Sequence, residues 1–198
     1  MIKKISNIIS LIFNPLIMPT LGTILILYSN SIFSMIHQGT KNIIIGIIFI
    51  GTFLLPLSFV PLYKYYNLVF DINMKNRKDR IFPYLITLIM YLLTLFVTYR
   101  IPIKIVQLFI LSVVIALSLN IILLFFWKIS SHMIGIGGII GLLAILILKY
   151  HINYLYVFIV FIVIAGILAS ARLFLQIHKP SEVYCGFFLG FLVVFILL

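Results

Sequence analysis

The stretch Arg172-Leu-Phe-Leu-Gln-Ile-His178-Lys-Pro-Ser-Glu182-Val-Tyr-Cys-Gly186-Phe-Phe-Leu-Gly190 joins two apolar runs near the end of the chain. An arginine, a histidine and a glutamate fall within eleven residues there. Ionisable groups at membrane depth are costly, so by default they read as functional. Pro180 suits the first turn of a helix, where its missing N–H would go unsatisfied anyway. Glu182 then falls in the same turn, beside the partial positive charge of the helix start. Its carboxylate stays ionised easily there and can accept a proton-bearing nitrogen of His178. A histidine oriented by a carboxylate is a good nucleophile or base. Arg172, on the other side of the histidine, offers a planar fork for phosphate oxygens.

Working outward, the apolar runs dominate. The chain has 198 residues, the size of one domain, and is 65% hydrophobic and only 9% charged. Several runs reach about 20 residues, enough to cross a bilayer core of roughly 30 Å. The expected fold is an all-α, polytopic membrane helix bundle with six to seven transmembrane helices in a single domain, 1–198. Spans are expected over 8–28, 43–63, 83–99, 105–127, 132–150, 154–171 and 183–198, the last one short. Asn14-Pro15 and Pro19 should kink the first. Lys3 and Lys4 before an apolar run resemble a signal sequence, but no small-residue cleavage site follows, so a retained first span is expected.

Lys and Arg number 14 against 3 acids. These charges sit between spans rather than on one soluble basic face, so nucleic acid is not the expected partner. Loop cations in such a chain report topology and anionic headgroups. The single cysteine, Cys185, excludes an intramolecular disulfide and a cysteine metal cluster, and beside Gly186 it reads as a small packing residue. With three acids in all, a two-metal phosphate site is not expected, nor any cofactor. His37 reads as a solvated loop residue. Gln107, Ser112, Ser118 and Asn120 read as polar links to neighbouring helices, and Trp127 as an interface anchor.

Three polar segments remain. Asp71-Ile-Asn73-Met-Lys75-Asn-Arg77-Lys78-Asp79-Arg80 is either a positive-inside loop or a phosphate clamp. Lys128-Ile-Ser130-Ser131-His132 opens the fifth span. Backbone N–H groups at a helix start cradle an anion, the Ser130 hydroxyl can donate to it, and His132 can protonate a leaving oxygen. The third segment is the Arg172–Glu182 stretch. Gly135-Ile-Gly137-Gly138-Ile-Ile-Gly141 lacks the strand context of a dinucleotide fingerprint and reads as a close helix contact.

Two spans separate Lys75–Arg80 from His132, and two more separate His132 from His178, so all three segments lie on one membrane face. That face carries Lys3, Lys4, Lys64, Lys75, Arg77, Lys78, Arg80, Lys128, Arg172 and Lys179; the other carries Lys41, Arg100, Lys104 and Lys149. The positive-inside rule favours the cytoplasm for the first face. Subtracting Lys75, Arg77, Arg80, Lys128 and Arg172 as phosphate ligands leaves five against four, and the face is open.

The Arg172 stretch resembles the third signature of the type 2 phosphatidic acid phosphatase superfamily, which includes membrane lipid phosphatases and vanadium haloperoxidases. That signature reads Ser-Arg, five residues, His, three residues, Asp, often followed by Val-x-x-Gly-x-x-x-Gly. Arg172, His178, Gly186 and Gly190 fit; Ala171 stands for its Ser and Glu182 for its Asp. Ser130 and His132 match the second signature, Pro-Ser-Gly-His, with Ile129 and Ser131 departing from it. Lys75, Arg80 and Pro83 loosely follow the first signature, Lys, six residues, Arg-Pro, and Arg77 is an equal substitute. The resemblance implies a metal-independent phosphatase acting on a lipid phosphate or diphosphate. His178 would be the nucleophile, Glu182 its orienting group and His132 the acid and base. Lys75, Arg80, Arg77, Ser130 and Arg172 would hold the phosphate. The expected partners are a lipid phosphate substrate and the cell-membrane bilayer, with homo-oligomerisation open. The alternatives are a headgroup binder or transporter without chemistry, and a transferase that passes the phosphoryl group to an alcohol.

Overall fold

The structure, a computed structural model, describes residues 2–29, 32–65 and 77–198. The chain forms α1 (Ile2–Ile12), α2 (Met18–Leu27), α3 (Gln38–Tyr63), α4 (Ile81–Thr98), α5 (Lys104–Leu124), α6 (Ser131–Leu148), α7 (Leu155–Phe174) and α8 (Pro180–Leu197). No strand occurs among the described residues. The six helices from α3 to α8 are long and apolar enough to cross a membrane. The fold is therefore an all-α polytopic bundle. In α3 the α-helical ladder widens into one π turn over Ile50–Leu54.

The N-terminus departs from the single kinked span expected over 8–28. Asn14 Oδ1 accepts the N–H of Leu16 at 3.0 Å, an asparagine turn that competes with helix. Pro15 and Pro19 lack the N–H that an uninterrupted helix would use. The chain therefore breaks rather than kinks, and α2, with 10 residues, covers only about 15 Å. Amphipathic α1 packs on α7, and Lys3 and Lys4 are exposed.

Helix α6 is the hub. It is apolar all round, and 72% of its spanning window is buried inside the protein. Its most extensive neighbour is α8, with α7, α2 and α5 completing the ring. Association inside lipid gains little from hydrophobicity and depends on close packing. Small residues supply it: a Cβ on Gly141 would stand 2.6 Å from the Phe191 carbonyl oxygen, and one on Gly186 2.7 Å from that of Ser130. Cβ atoms on Gly137 and Gly190 would collide with the carbonyls of Phe187 and Ile134. The α6–α8 pair is thus backbone against backbone, and both helices run the same way, since antiparallel α7 lies between them in the chain.

Some small polar residues settle differently from expectation. Ser112 and Ser118 bond the carbonyls of Phe109 and Val114 on their own helix rather than a neighbour. Gln107 bonds the Ile101 carbonyl at 2.8 Å, in the turn after α4. His37 is exposed but also caps α3, its Nδ1 accepting the Gly39 N–H at 3.2 Å. Cys185 is exposed rather than packed; the buried stripe of α8 follows Val183, Gly186, Gly190 and Val194, and Cys185 stands off it.

Candidate functional site

The starts of α4, α6 and α8 share one end of the bundle with the last turn of α7. The α6–α8 contact sets the geometry there. The Ser130 N–H donates to the Glu182 carbonyl at 3.1 Å, so the cap of one helix is stapled to the first turn of the other. Pro180 is the first helical residue of α8, and Glu182 stands at its third position, accepting the Lys179 N–H through Oε2 at 3.3 Å. The turn into α8 passes through Gln176 at φ 53°, a left-handed conformation that costs a non-glycine residue energy and sets His178 back against Glu182.

His178 Nδ1 lies 2.7 Å from Glu182 Oε2. A carboxylate oxygen accepts, so Nδ1 carries the proton and Nε2 the free electron pair. The His178 side chain is only 1% exposed, and Nε2 has no hydrogen-bond partner among the described residues. Burial first, then the charges of Arg80, Arg172 and Lys128 and the ring of His132, hold its pKa well below the ordinary histidine value. The neighbouring carboxylate pulls the other way and is outweighed. His178 is therefore neutral at physiological pH, as a nucleophile must be. Burial, then Arg80, likewise lowers Lys128, whose Nζ donates to the Ile177 carbonyl at 3.2 Å.

The sign of the pH dependence follows. Unfolded histidine takes up a proton near pH 6.5, and the folded site does not. The contribution of His178 to stability is therefore constant above about pH 6.5 and falls as the medium is acidified below it. The melting temperature of the wild type should drop more between neutral pH and about pH 5 than that of His178→Gln. Equal drops would remove His178 as the group responsible.

Arg80, Arg172 and His132 line one cavity of about 500 Å³. Arg80 and Arg172 are 6% and 7% exposed. His132 Nε2 lies 3.0 Å from the Ser10 carbonyl oxygen; a carbonyl only accepts, so Nε2 bears the proton and Nδ1 is left for chemistry. Arg172 Nη1 donates to Ser10 Oγ at 3.3 Å. Ser131 Oγ is 2.5 Å from the Tyr84 hydroxyl and accepts from Asn120 Nδ2 at 3.1 Å, which ties α4, α5 and α6 together beneath the site. Ser130 Oγ and Arg172 Nε are buried and, like His178 Nε2, have no hydrogen-bond partner among the described residues. Buried polar groups are normally paired. Two donors and one lone pair without partners are what a phosphoryl group, with acceptor oxygens and an electrophilic phosphorus, would engage.

Of the candidate clamp residues, Arg77 is not brought in. Lys75 lies outside the described residues. Arg77 is exposed, and its Nη1 donates to the carbonyls of Phe125 and Phe126 at 3.1 and 3.2 Å. A cation suits the negative end of α5, which these carbonyls follow. Arg77→Ala should therefore cost no more than about 1 kcal/mol of stability and leave phosphate handling as it was; a loss of phosphate release without a fall in melting temperature would return Arg77 to the clamp. Conversely, Ser10 and Tyr84 belong to the site without any motif marking them. Ser10 sits on an amphipathic helix far away in sequence, and Tyr84 follows Arg80 by one turn.

Comparison with protein-family models, with curated proteins and with solved structures finds no match. Fold and site together define an α-helical multi-pass membrane protein with a cationic pocket, lined by Arg80, Arg172 and His132, at one end of its bundle, and a buried His178–Glu182 pair at the same end.

Proposed function

We propose that this protein is a phosphatase of the cell membrane that hydrolyses a lipid phosphate or diphosphate through a phosphohistidine. The observation that carries the reading is the buried His178–Glu182 contact of 2.7 Å, with Nε2 unpartnered amid arginines and a lysine. Nε2 attacks phosphorus in line, and the bond from phosphorus to the lipid-side oxygen breaks. Glu182 holds Nδ1–H and stabilises the cation formed. His132 first takes up a proton at Nδ1 from solvent and gives it to the departing oxygen; the Nδ1 lone pair so restored then takes a proton from water. That water attacks the phosphohistidine, the P–N bond breaks, and phosphate leaves with His178 restored. Arg172, Arg80 and Ser130 hold the equatorial oxygens, over which the transition state spreads its charge. Lys75 remains a proposed member of this clamp.

The near-complete enclosure of the His178 ring, and its absence from the cavity lining, favour a second reading, in which the cations grip a headgroup without chemistry. Phosphate release from a panel of lipid phosphates and diphosphates by purified protein tests the two. The phosphatase reading expects release that vanadate inhibits and chelator leaves alone. Headgroup binding with no release from any of them would support the second.

A further inference from the structure

The cavity that begins at Arg80, Arg172 and His132 does not stop there. On α5 it runs along Asn120, Leu117, Ala116, Val113 and Phe109. The eleven steps of helix from Phe109 to Asn120 span roughly 16 Å at 1.5 Å per residue, about half of a hydrocarbon core of roughly 30 Å. Cations and amides occupy one end and apolar side chains the other. The volume of this slot, about 500 Å³, falls within the roughly 300–1,000 Å³ of sites that take one small ligand.

We infer that the slot binds the tail of a single-chain lipid phosphate, an alkyl or prenyl phosphate or diphosphate, and excludes the paired tails of a diacyl phosphate. The identity of the headgroup rests on the phosphatase reading; the tail slot rests on the cavity. A lipid with one chain places it along α5 between α4 and α6, with phosphate at the helix starts. A diacyl lipid would have to leave one chain outside the bundle. The Tyr84–Ser131–Asn120 contact lies at the boundary of the two regions, and Asn120 Oδ1 is buried there without a partner among the described residues. It can accept a hydrogen bond from a protonated phosphate or a hydroxyl near the head of the chain.

The test uses the full chain in nanodiscs of zwitterionic diacyl lipid, so that no single-chain detergent competes. Lauryl phosphate at a hundredfold excess over its Kd should raise the melting temperature by roughly 5–10 °C; dioleoyl phosphatidate should not. Ala116, 5% exposed on the slot wall, is the position to fill: Ala116→Phe should abolish the lauryl phosphate shift and keep the response to orthovanadate. Leu117→Ala, which widens the slot instead, should bring the shift given by dioleoyl phosphatidate toward that of lauryl phosphate, and it covers the case in which Ala116→Phe fails to fold. Equal shifts from phosphatidate and lauryl phosphate, or a tail preference that neither variant changes, would overturn the slot. Shifts as expected with no phosphate release from any substrate would remove the phosphatase reading and keep the slot. Release without tail preference would do the reverse.

Discussion

His178→Ala should lower phosphate release by at least about 10³-fold, the scale on which enzymes lose rate when a nucleophile is removed. The same variant should still fold at neutral pH with a lowered melting temperature, and His178→Gln, which refills the space, should lose the rate with a smaller loss of stability. The reasoning is local. The ring touches Glu182 through Nδ1, and Nε2 has no partner among the described residues, so its removal deletes the reactive atom; because the ring is enclosed, it also opens a space and leaves the Glu182 carboxylate unpaired. Glu182→Gln should also be slow, because an amide no longer favours the Nδ1–H tautomer or stabilises an imidazolium. Glu182 carries a second duty: its side chain accepts the Lys179 N–H, so this variant should also lose part of the stability of that cap. A headgroup binder without chemistry would show neither rate effect and would retain most of its binding in His178→Ala.

The second large effect is expected at a distance from the chemistry. Gly190→Val should destabilise the protein by 3 kcal/mol or more, at or above the upper end of ordinary overpacking. A branched side chain there meets the Ile134 carbonyl, which is part of the hub helix and cannot step aside as a flexible side chain could. Separating α6 from α8 also pulls Ser130 away from Glu182, so phosphate release should fall along with stability. Gly46 and Gly166 are the controls, because a Cβ at either meets nothing within 4 Å. Alanine at those two positions should be neutral or slightly stabilising in a helix. Thermal melting of the three variants compares them directly; a neutral Gly190→Val would mean that the α6–α8 contact does not hold the site.

Much of the architecture was legible in the sequence because lipid imposes a simple rule: each apolar run long enough to span must satisfy its backbone within a helix. The runs that became α3 to α8 follow it, and Gly135 to Gly141 announced a close helix contact by composition alone. Pro180 and Glu182 revealed the start of α8, since proline and a carboxylate both suit the first turn. The N-terminal span was misjudged as one kinked helix because hydropathy measures apolarity, not continuity; the Asn14–Leu16 contact that ends α1 competes with the helix from one side chain. The site was legible only where its residues cluster along the chain. Ser10 meets His132 and Arg172 from more than 120 positions away, and no spacing rule records such a meeting. Arg77 misled for the opposite reason: it stands beside Arg80 in sequence, and its side chain turns to helix-end carbonyls instead of the cavity. Cys185 likewise neighbours a packed glycine yet falls off the buried stripe of α8.

The most direct measurement of the central claim is to look for the covalent intermediate. His132→Ala, which lacks the group that would activate water, should accumulate phosphate when mixed with a lipid diphosphate, whose departing phosphate oxygen does not need a proton from His132, and quenched in alkali. Mass spectrometry of the digested protein should then find the phosphoryl group on His178, attached at Nε2, and find none in the His132→Ala/His178→Ala double variant. Turnover by the wild type with no phosphohistidine under any quench, or a phosphoryl group on another residue, would contradict the account.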